Sequence, residues 1–363
     1  MTRSDGPTDV PEVSVVVLTY DGQGYIDACL GSLRDQDPAG PAYEVLVFDN
    51  ASTDGTPERV GEAHPWVRLV RSDRNLGFAA GNVAALAHAR GRWVVFLNQD
   101  TVVGRRFVAG LVDAVRVGGA TAAQANMILP WQPCARDLDR SAPHPDLHVA
   151  ELTRAAYVAY GIEPDGPATA PSLFLSGAAF IIDRRILDRI GGLFDPDFWA
   201  YCEDTDLALR LRSAGASVVT VREAVVYHDL TPATGLRPAA VAKTIRILRN
   251  RHLACLRSMR ASEYGRVLPR LLLEASGKID ELPLDGAHRL VVRIGMPALS
   301  VVGLAWAIAS LPRHRRARAA TLARRVGGPA AILTALDEAD ARVRRRSDGA
   351  RAQSPATTTD WPA

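Results

Sequence analysis

Three acidic side chains, Glu203, Asp204 and Asp206, fall within four positions of the stretch FWAYCEDTDLALRLRSAG (Phe198–Gly215). Like charges this close raise one another's proton affinity and cost stability unless a cation or a reaction uses them. A carboxylate tuned toward neutral pH is a competent general base. The aromatics Phe198, Trp199 and Tyr201 stand just before the acids, and Leu207 and Leu211, four apart, mark an amphipathic helix that Gly215 ends. Other polar groups cluster upstream: Thr19, Tyr20 and Asp21, then Asp49 and Asn50, then Asn98, Gln99 and Asp100.

Those clusters need a scaffold that gathers strand ends. VSVVVLTY (Val13–Tyr20) and YEVLVFDN (Tyr43–Asn50) are continuous apolar runs, the pattern of strands buried on both faces. Ile26–Gln36 reads as a helix between them, which makes a βαβ unit. Val67–Ser72 is a third predicted strand, GFAAGNVAALAHARG an Ala-rich helix ended by Gly91, and Trp93–Asp100 a fourth strand. Alternation of this kind predicts an α/β domain with a mostly parallel sheet, which binds ligands beyond the carboxyl ends of its strands. Ser176–Asp183 resumes a strand, RRILDRIGG a short helix, and SVVTV and AVVYHD two more strands. Residues 131–172, rich in Pro and charge, read as an inserted loop with some helix around Leu147–Tyr160.

The 363 residues carry a net charge of +3 that hides an asymmetry. Residues 1–232 hold 20 basic and 30 acidic side chains, whereas residues 233–363 hold 23 and 10. A basic tail can meet an anionic membrane surface or nucleic acid, but its arginines lack the interleaved aromatics that stacking on bases uses, so no nucleic-acid partner is expected. The cysteines Cys29, Cys134, Cys202 and Cys255 form no Cys-x-x-Cys pair, which predicts neither a disulfide framework nor a zinc site. The polar start MTRSDGPTDVPE has no apolar signal core, so a cytoplasmic protein is expected.

In the tail, Val241, Ile245, Leu248, His252 and Leu256 share one helical face, with Lys243, Arg246, Asn250 and Arg257 on the other. A helix docked on the domain and a helix lying on anionic lipid both fit that pattern. Ile294–Leu311 is an uncharged run at the lower limit for a bilayer span, interrupted by Pro297 and followed by Arg313, Arg315, Arg316 and Arg318. A membrane-skimming or buried helical pair is the expectation, with the catalytic work left to the residues before it.

VSVVVLTYD, VFDNASTDGT, RNLGFAAGNVAAL, FLNQDT, SGAAFIIDRRILDRIGGLFDPDFWAYCEDTDLALRLRSAG and VVYHD occur in an order that resembles the family 2 inverting glycosyltransferases, in particular the bacterial rhamnosyltransferase-type branch. The resemblance covers Val13 to His228. It implies a GT-A-type domain over 13–235 with an acceptor-side insertion at 131–172; outside that domain, composition predicts a flexible N-terminus at 1–12, a basic helical region at 236–346 suited to membrane association and a disordered tail at 347–363. It implies a nucleoside diphosphate sugar donor, plausibly dTDP-L-rhamnose, bound by Thr19, Tyr20, Asp21, Asp49, Arg74, Asn75, Gly77, Gly81, Asn82 and Asn98. Asp49 would accept from the pyrimidine N3–H, and the small residues would let amides at a helix start approach phosphate.

The sequence NQD occupies the place of the family's Asp-x-Asp motif, so Asp100 and His228 would hold a divalent cation, Mg²⁺ or Mn²⁺, with Asn98 in place of the first Asp. Glu203-Asp204 matches the catalytic acid pair: Asp204 as base, with Glu203, Trp199 and Tyr201 toward the acceptor. The acceptor expected is a glycan or a lipid-linked sugar at the inner face of the plasma membrane. A nucleotidyltransferase would want basic residues after the first strand, and TYDGQGYI has none. A binding protein without activity would have no use for Asp100, Asp204 and His228 together.

Overall fold

Seven consecutive buried residues, Val13–Thr19, make β1, and the run is apolar throughout because both sides of the strand are covered. Val16 and Leu18 pack into one apolar cluster, and Val13, Val15 and Val17 into a second on the opposite face. The computed structural model describes residues 11–129, 144–229, 238–274, 286–328 and 330–353. After β1 come α1 (Ile26–Arg34), β2 (Tyr43–Asp49), α2 (Thr56–Ala63), β3 (Arg68–Arg71), α3 (Gly77–His88) and β4 (Trp93–Asn98). β1 pairs in parallel with β2 and β4, in a register that sets Thr19 opposite Asp49 and Leu18 opposite Asn98. The polar strand ends therefore line up along one edge of the sheet.

Three elements that the sequence pattern did not mark complete the sheet: β5 (Thr101–Val103), α4 (Phe107–Arg116) and β6 (Ala122–Ile128). They are followed by β7 (Leu147–Leu152), β8 (Val158–Glu163), β9 (Thr169–Pro171), β10 (Ala179–Asp183), α5 (Arg184–Ile190), α6 (Glu203–Ser213) and β11 (Val218–His228). Among the described residues the order is β3-β2-β1-β4-β10-β6-β11-β5, with β9 beside β11. β10 runs antiparallel to β4 and β6, so the sheet is mixed but mostly parallel. This is the GT-A-type layout that the motifs imply.

The structure corrects several expectations. Leu147–Tyr160 is not helical: β7 and β8 form an antiparallel hairpin. β7 is buried along its whole length, and burial on both sides overrides the local pattern. The two strands expected at SVVTV and AVVYHD are one strand, β11, whose register against β6 shifts between Val221 and Val225. Residues 130–143, the start of the proposed insertion, and most of the N-terminal segment lie outside the described residues.

The C-terminal region is α7 (Pro238–Ser258), α8 (Ala261–Leu273), α9 (Gly286–Ala323) and α10 (Ala331–Gln353). Helix α9 continues through Pro297 and Pro312 rather than breaking, and α10 enters the stretch expected to be disordered. Half of the supposed polar face of α7 is also buried: Asn250 is 0% and Arg257 4% exposed, while Lys243 and Arg246 are half-buried. On α9, Ser300, Ala307, Ser310 and His314 are buried at spacings of three, four or seven, and the α-carbon of Gly303 lies against Arg249 and Leu248 of α7. Small side chains let the two helix backbones approach closely.

Helix α10 is tied to the catalytic half by charge. Glu151 of β7 is fully buried, and its carboxylate accepts from Arg342 at 2.5 Å, from Arg346 at 3.3 Å and from the Leu173 amide at 2.9 Å. Removing the cations would leave a buried charge with one amide. Arg342→Ala combined with Arg346→Ala is expected to lower unfolding stability by about 3–5 kcal/mol, measured by denaturant melting, whereas a loosely attached tail would give no change.

Candidate active site

At the carboxyl edge of the sheet, Gln99 ties two of the polar clusters together. Its Oε1 accepts from Thr19 Oγ1 at 2.5 Å and from the Tyr20 amide at 2.9 Å, while its Nε2 donates to the Tyr20 carbonyl. Asp21, at φ +45°, accepts from the Thr53 amide at 2.8 Å, and its own amide donates to Ser52 Oγ. Asp49 is fully buried; its carboxylate accepts from the Ser52 amide at 3.2 Å and lies 3.6 Å from Arg71 Nε. Asn50 Nδ2 donates to Asn75 Oδ1 and to the Gly77 carbonyl, and its Oδ1 accepts from the Leu76 amide. Thus Thr19, Tyr20, Asp21, Asp49, Asn75 and Gly77 share one edge.

Gly77 has φ +78°, and a Cβ there would stand 2.6 Å from Trp199 Cδ2, so only glycine lets the indole close over this loop. Arg74 is exposed beside it. Gly81 and Asn82 are placed differently: Gly81 lies against Leu18 of β1, and Asn82 Nδ2 donates to the Phe78 carbonyl inside α3. Both serve helix packing in this structure.

Pairing of β11 with β5 sets His228 opposite Thr101 and so beside Asp100. Asp100 Oδ1 stands 3.2 Å from His228 Nε2, and Asn98 Nδ2 is 3.4 Å from the same nitrogen. His228 is buried, with an Nδ1 that has no hydrogen-bond partner. The Asn98 amide donates to the Ala178 carbonyl at 2.8 Å, and the next amide back, Gly177, points at Asp204 Oδ2 from 3.4 Å. One short backbone segment, Gly177–Ala178, therefore links the end of β4 that carries Asn98 to Asp204.

Asp204 Oδ1 also accepts from the Thr205 amide at 2.7 Å. Burial raises the Asp204 carboxyl to about 6, against its ordinary 3.8, although these amides pull the other way. Burial and the neighbouring Asp204 charge push Glu203 well above the usual carboxylate range; it is 5% exposed, and its Oε2 has no hydrogen-bond partner. Asp206 is set apart, locked to Arg210 at 2.7 Å and near Arg257 at 3.4 Å. Tyr160, on the β7–β8 hairpin, is close enough for the Asp204 charge to add to burial in raising its phenol to about 12.

Trp199, Tyr201 and Cys202 all adopt left-handed backbone, at φ +60°, +73° and +62°. Such conformations persist in bulky residues only where surroundings over-determine them. Here the C-terminal helices do so. Asn250 Nδ2 lies 2.8 Å from the Phe198 carbonyl, 3.1 Å from that of Ala200 and 2.8 Å from that of Tyr201. Arg249 and His314 pair with Asp197, and Arg257 and His314 with Asp195. Burial opposes ionisation of Asp195, yet His314 and Arg257 more than offset it and hold the carboxyl far below its usual range. Trp199 and Tyr201 keep 44% and 42% exposure, and Lys243 Nζ sits 4.8 Å from the Tyr201 ring centroid.

Sequence reading missed Gln99, Arg71, Tyr160 and Asn250. Gln99 could have been suspected from its place inside NQD, but nothing local marks an Asn on a helix as the clamp of a loop some fifty positions upstream. The clamp docks α7 against the turn that precedes α6. Asn250→Ala is expected to lower kcat by about tenfold or more through misplacement of the acid-bearing turn, while the KM for donor stays within about twofold. A loss of folding alone would lower active protein without splitting kcat from KM, and steady-state kinetics on the soluble fraction separates the two.

Comparison with known proteins bears on the family and the fold. The profile of glycosyl transferase family 2 matches residues 14–190. An N-acetylglucosaminyl-diphospho-decaprenol L-rhamnosyltransferase of Mycobacterium tuberculosis is 31% identical over 253 residues, covering 64% of this chain and 80% of the relative. The succinoglycan biosynthesis protein ExoO of Rhizobium meliloti is 26% identical over 66% of this chain and 64% of its own length. Among solved structures, GalNAc-T7 with UDP, GalNAc and Mn²⁺ superposes with TM-score 0.56 at 14% identity over 85% of this chain, which spans 57% of GalNAc-T7. The mannosyltransferase PcManGT from Pyrobaculum calidifontis, with GDP-Man and Mn²⁺, gives 0.51 at 22% identity over 83% of this chain and 88% of its own. At these identities the superpositions speak for the fold, and the mycobacterial relative for the family: the chain belongs to glycosyl transferase family 2 and is a glycosyltransferase.

Proposed function

We propose that the protein transfers a sugar, L-rhamnose from dTDP-rhamnose, to a hydroxyl of a lipid-linked saccharide, with inversion at the anomeric carbon. The observation that carries the reading is the adjacency of Asp204 to the Asn98–Asp100 corner through Gly177 and Ala178. A carboxylate on one side and a phosphate-binding corner on the other are what a single displacement needs. Asp204 takes the proton of the acceptor hydroxyl as its oxygen bonds to the anomeric carbon, and the bond from that carbon to the diphosphate oxygen breaks. Asp49, Thr19, Tyr20 and Asp21 bind the base and ribose, with Arg74, Asn75 and Gly77 nearer the phosphates. Trp199 and Tyr201 present faces to the acceptor, and Glu203, its carboxyl pushed up by burial and the Asp204 charge, lies behind the base.

Asp100 and His228 fit a divalent cation, Mg²⁺ or Mn²⁺: a carboxylate oxygen and an imidazole nitrogen stand 3.2 Å apart, and the Asp100 side chain keeps 28% exposure. Such an ion, when bound, neutralises charge growing on the diphosphate. The name of the mycobacterial relative supports the rhamnosyl donor and the diphosphate-lipid acceptor. A panel of nucleotide sugars assayed with Mn²⁺ tests this, and turnover confined to UDP-hexoses or GDP-hexoses would remove the rhamnose assignment. Asp204→Asn is expected to bind donor normally and to lose about 10²–10⁴-fold in kcat.

The pH dependence follows from the sign of the Asp204 shift. Transfer requires the ionised carboxylate, so kcat/KM is expected to fall about tenfold per pH unit below about 6. Stability moves the other way: a carboxyl raised on folding costs nothing in acid and progressively destabilises as pH climbs from 3.8 to about 6. The thermal advantage of Asp204→Asn over wild type should therefore grow across that window and level off above it.

The protein is further read as peripheral on the inner face of the plasma membrane. Helix α9 is the source of this reading: its small side chains face α7, whereas Val301, Val302, Trp306 and Ile308 are exposed by 43–54%. Gly295–Ala323 is long and apolar enough to cross a membrane, with 22% of its apolar window buried. Large apolar groups turned outward, with Arg313, Arg315 and Arg316 next to them, suit insertion at an anionic headgroup layer. Val301→Ser with Trp306→Ser is expected to abolish co-sedimentation with phosphatidylglycerol vesicles without changing donor hydrolysis. Unaltered sedimentation would remove α9 as the contact.

A further inference from the structure

His144, Asp146 and His148 are spaced two apart as the chain enters β7, and one ligand atom from each lies within 4.8 Å of the others. We propose that these three residues form a second divalent-metal site, of zinc type, that pins the entrance to the β7–β8 hairpin and is independent of the Asp100–His228 pair. Two imidazoles and one carboxylate are a frequent three-ligand zinc set, and imidazole nitrogen favours borderline ions over Mg²⁺.

The backbone under the cluster is fixed from the sheet. Asn126 of β6 is fully buried; its Nδ2 donates to the Asp146 carbonyl at 2.9 Å and to the Arg222 carbonyl at 2.9 Å, and its Oδ1 accepts from the His148 amide at 2.8 Å. That holds Asp146 and His148 in register, as outer-shell partners do around metal ligands. His144 Nδ1 stands 3.1 Å from the Asp146 carbonyl. With the proton on Nδ1 this bond forms and Nε2 carries the lone pair that ligates. The other tautomer accepts from the Asp146 amide at 3.1 Å, and metal binding selects against it.

The rings of His144 and His148 pack edge to face, with centroids 5.2 Å apart. Tetrahedral donors at zinc bond lengths of about 2.1 Å stand about 3.4 Å apart, and rotation of the half-buried His144 and Asp146 side chains closes the set. The same hairpin carries Tyr160 toward Asp204, so the ion would steady the acceptor side of the cleft.

The test uses the full chain carrying Asp100→Asn and His228→Ala, stripped of metal by a chelator and titrated with Zn²⁺ by calorimetry, with Co²⁺ as a spectroscopic probe. One equivalent of zinc, a visible Co²⁺ ligand-field band and a higher melting midpoint with zinc are expected. All three should vanish on adding His144→Ala and Asp146→Asn. These two partly exposed positions keep the test open if a change at buried His148 unfolds the chain. No zinc bound to the background protein, or equal binding after the two substitutions, would overturn the site.

Discussion

The catalytic half of this molecule depends on a backbone that would not hold its shape alone. Trp199, Tyr201 and Cys202 sit in left-handed conformations that bulky side chains avoid, each at a cost on the order of 1–3 kcal/mol. The turn they make is what starts α6 at Glu203 with its first residues aimed back at Gly177. Asn250 gathers three carbonyls of that turn on one amide nitrogen, and the Asp195 and Asp197 side chains before it are held by Arg249, Arg257 and His314. Strain at the site is thus balanced by hydrogen bonds and ion pairs from helices far along the chain.

The same region sorts its acids by environment. Asp206 is neutralised by Arg210 and Arg257, and Asp195 and Asp197 have cations of their own. Glu203 and Asp204 have none, and burial is the leading influence on both. Adjacent carboxyls raise one another's proton affinity, and burial pushes Glu203 well above the usual carboxylate range. Asp204, which accepts from two amides, is left as the member that ionises near neutrality. Cations pair with three acids of this stretch to build the turn, and among the described residues Glu203 and Asp204 have no ion-pair partner.

Much of this was legible in sequence where the pattern is local. Apolar runs ending in polar residues gave β1, β2 and β4, and their parallel register brought Thr19, Asp49 and Asn98 to one edge without any residue having to signal it. The acid cluster was readable for the same reason: like charges in succession need an explanation wherever they lie. The hairpin at Leu147–Glu163 was not, because β7 is stabilised by what covers it, including Glu151 reaching Arg342 and Arg346 at the far end of the chain. Asn250 and Arg257 look like solvent-facing residues in a helical wheel, and only tertiary contact shows their partners. Gly81 and Asn82 belong to a glycine-rich stretch that reads as ligand-binding, yet the space they save is used by Leu18 and the helix itself.

Helix α9 shows how composition can be misread when its faces are averaged. Its apolar run invites comparison with a core helix, but the buried positions are Ser300, Gly303, Ala307, Ser310 and His314, with Leu304 and Leu311 half-buried beside them, while Val301, Val302, Trp306 and Ile308 point away. A helix stabilised by water-driven burial would have the reverse arrangement. Close backbone contact with α7 and specific polar bonds hold it instead: Ser300 Oγ to His252 Nε2 and to the Leu271 carbonyl, and His314 to Asp195 and Asp197. One face of α9 therefore fixes the residues that aim Asp204, and the opposite face presents an apolar surface. Any layer that accepts that surface is held in a fixed orientation to the turn that carries Asp204, because no flexible linker intervenes between Ile308 and His314 along one continuous helix.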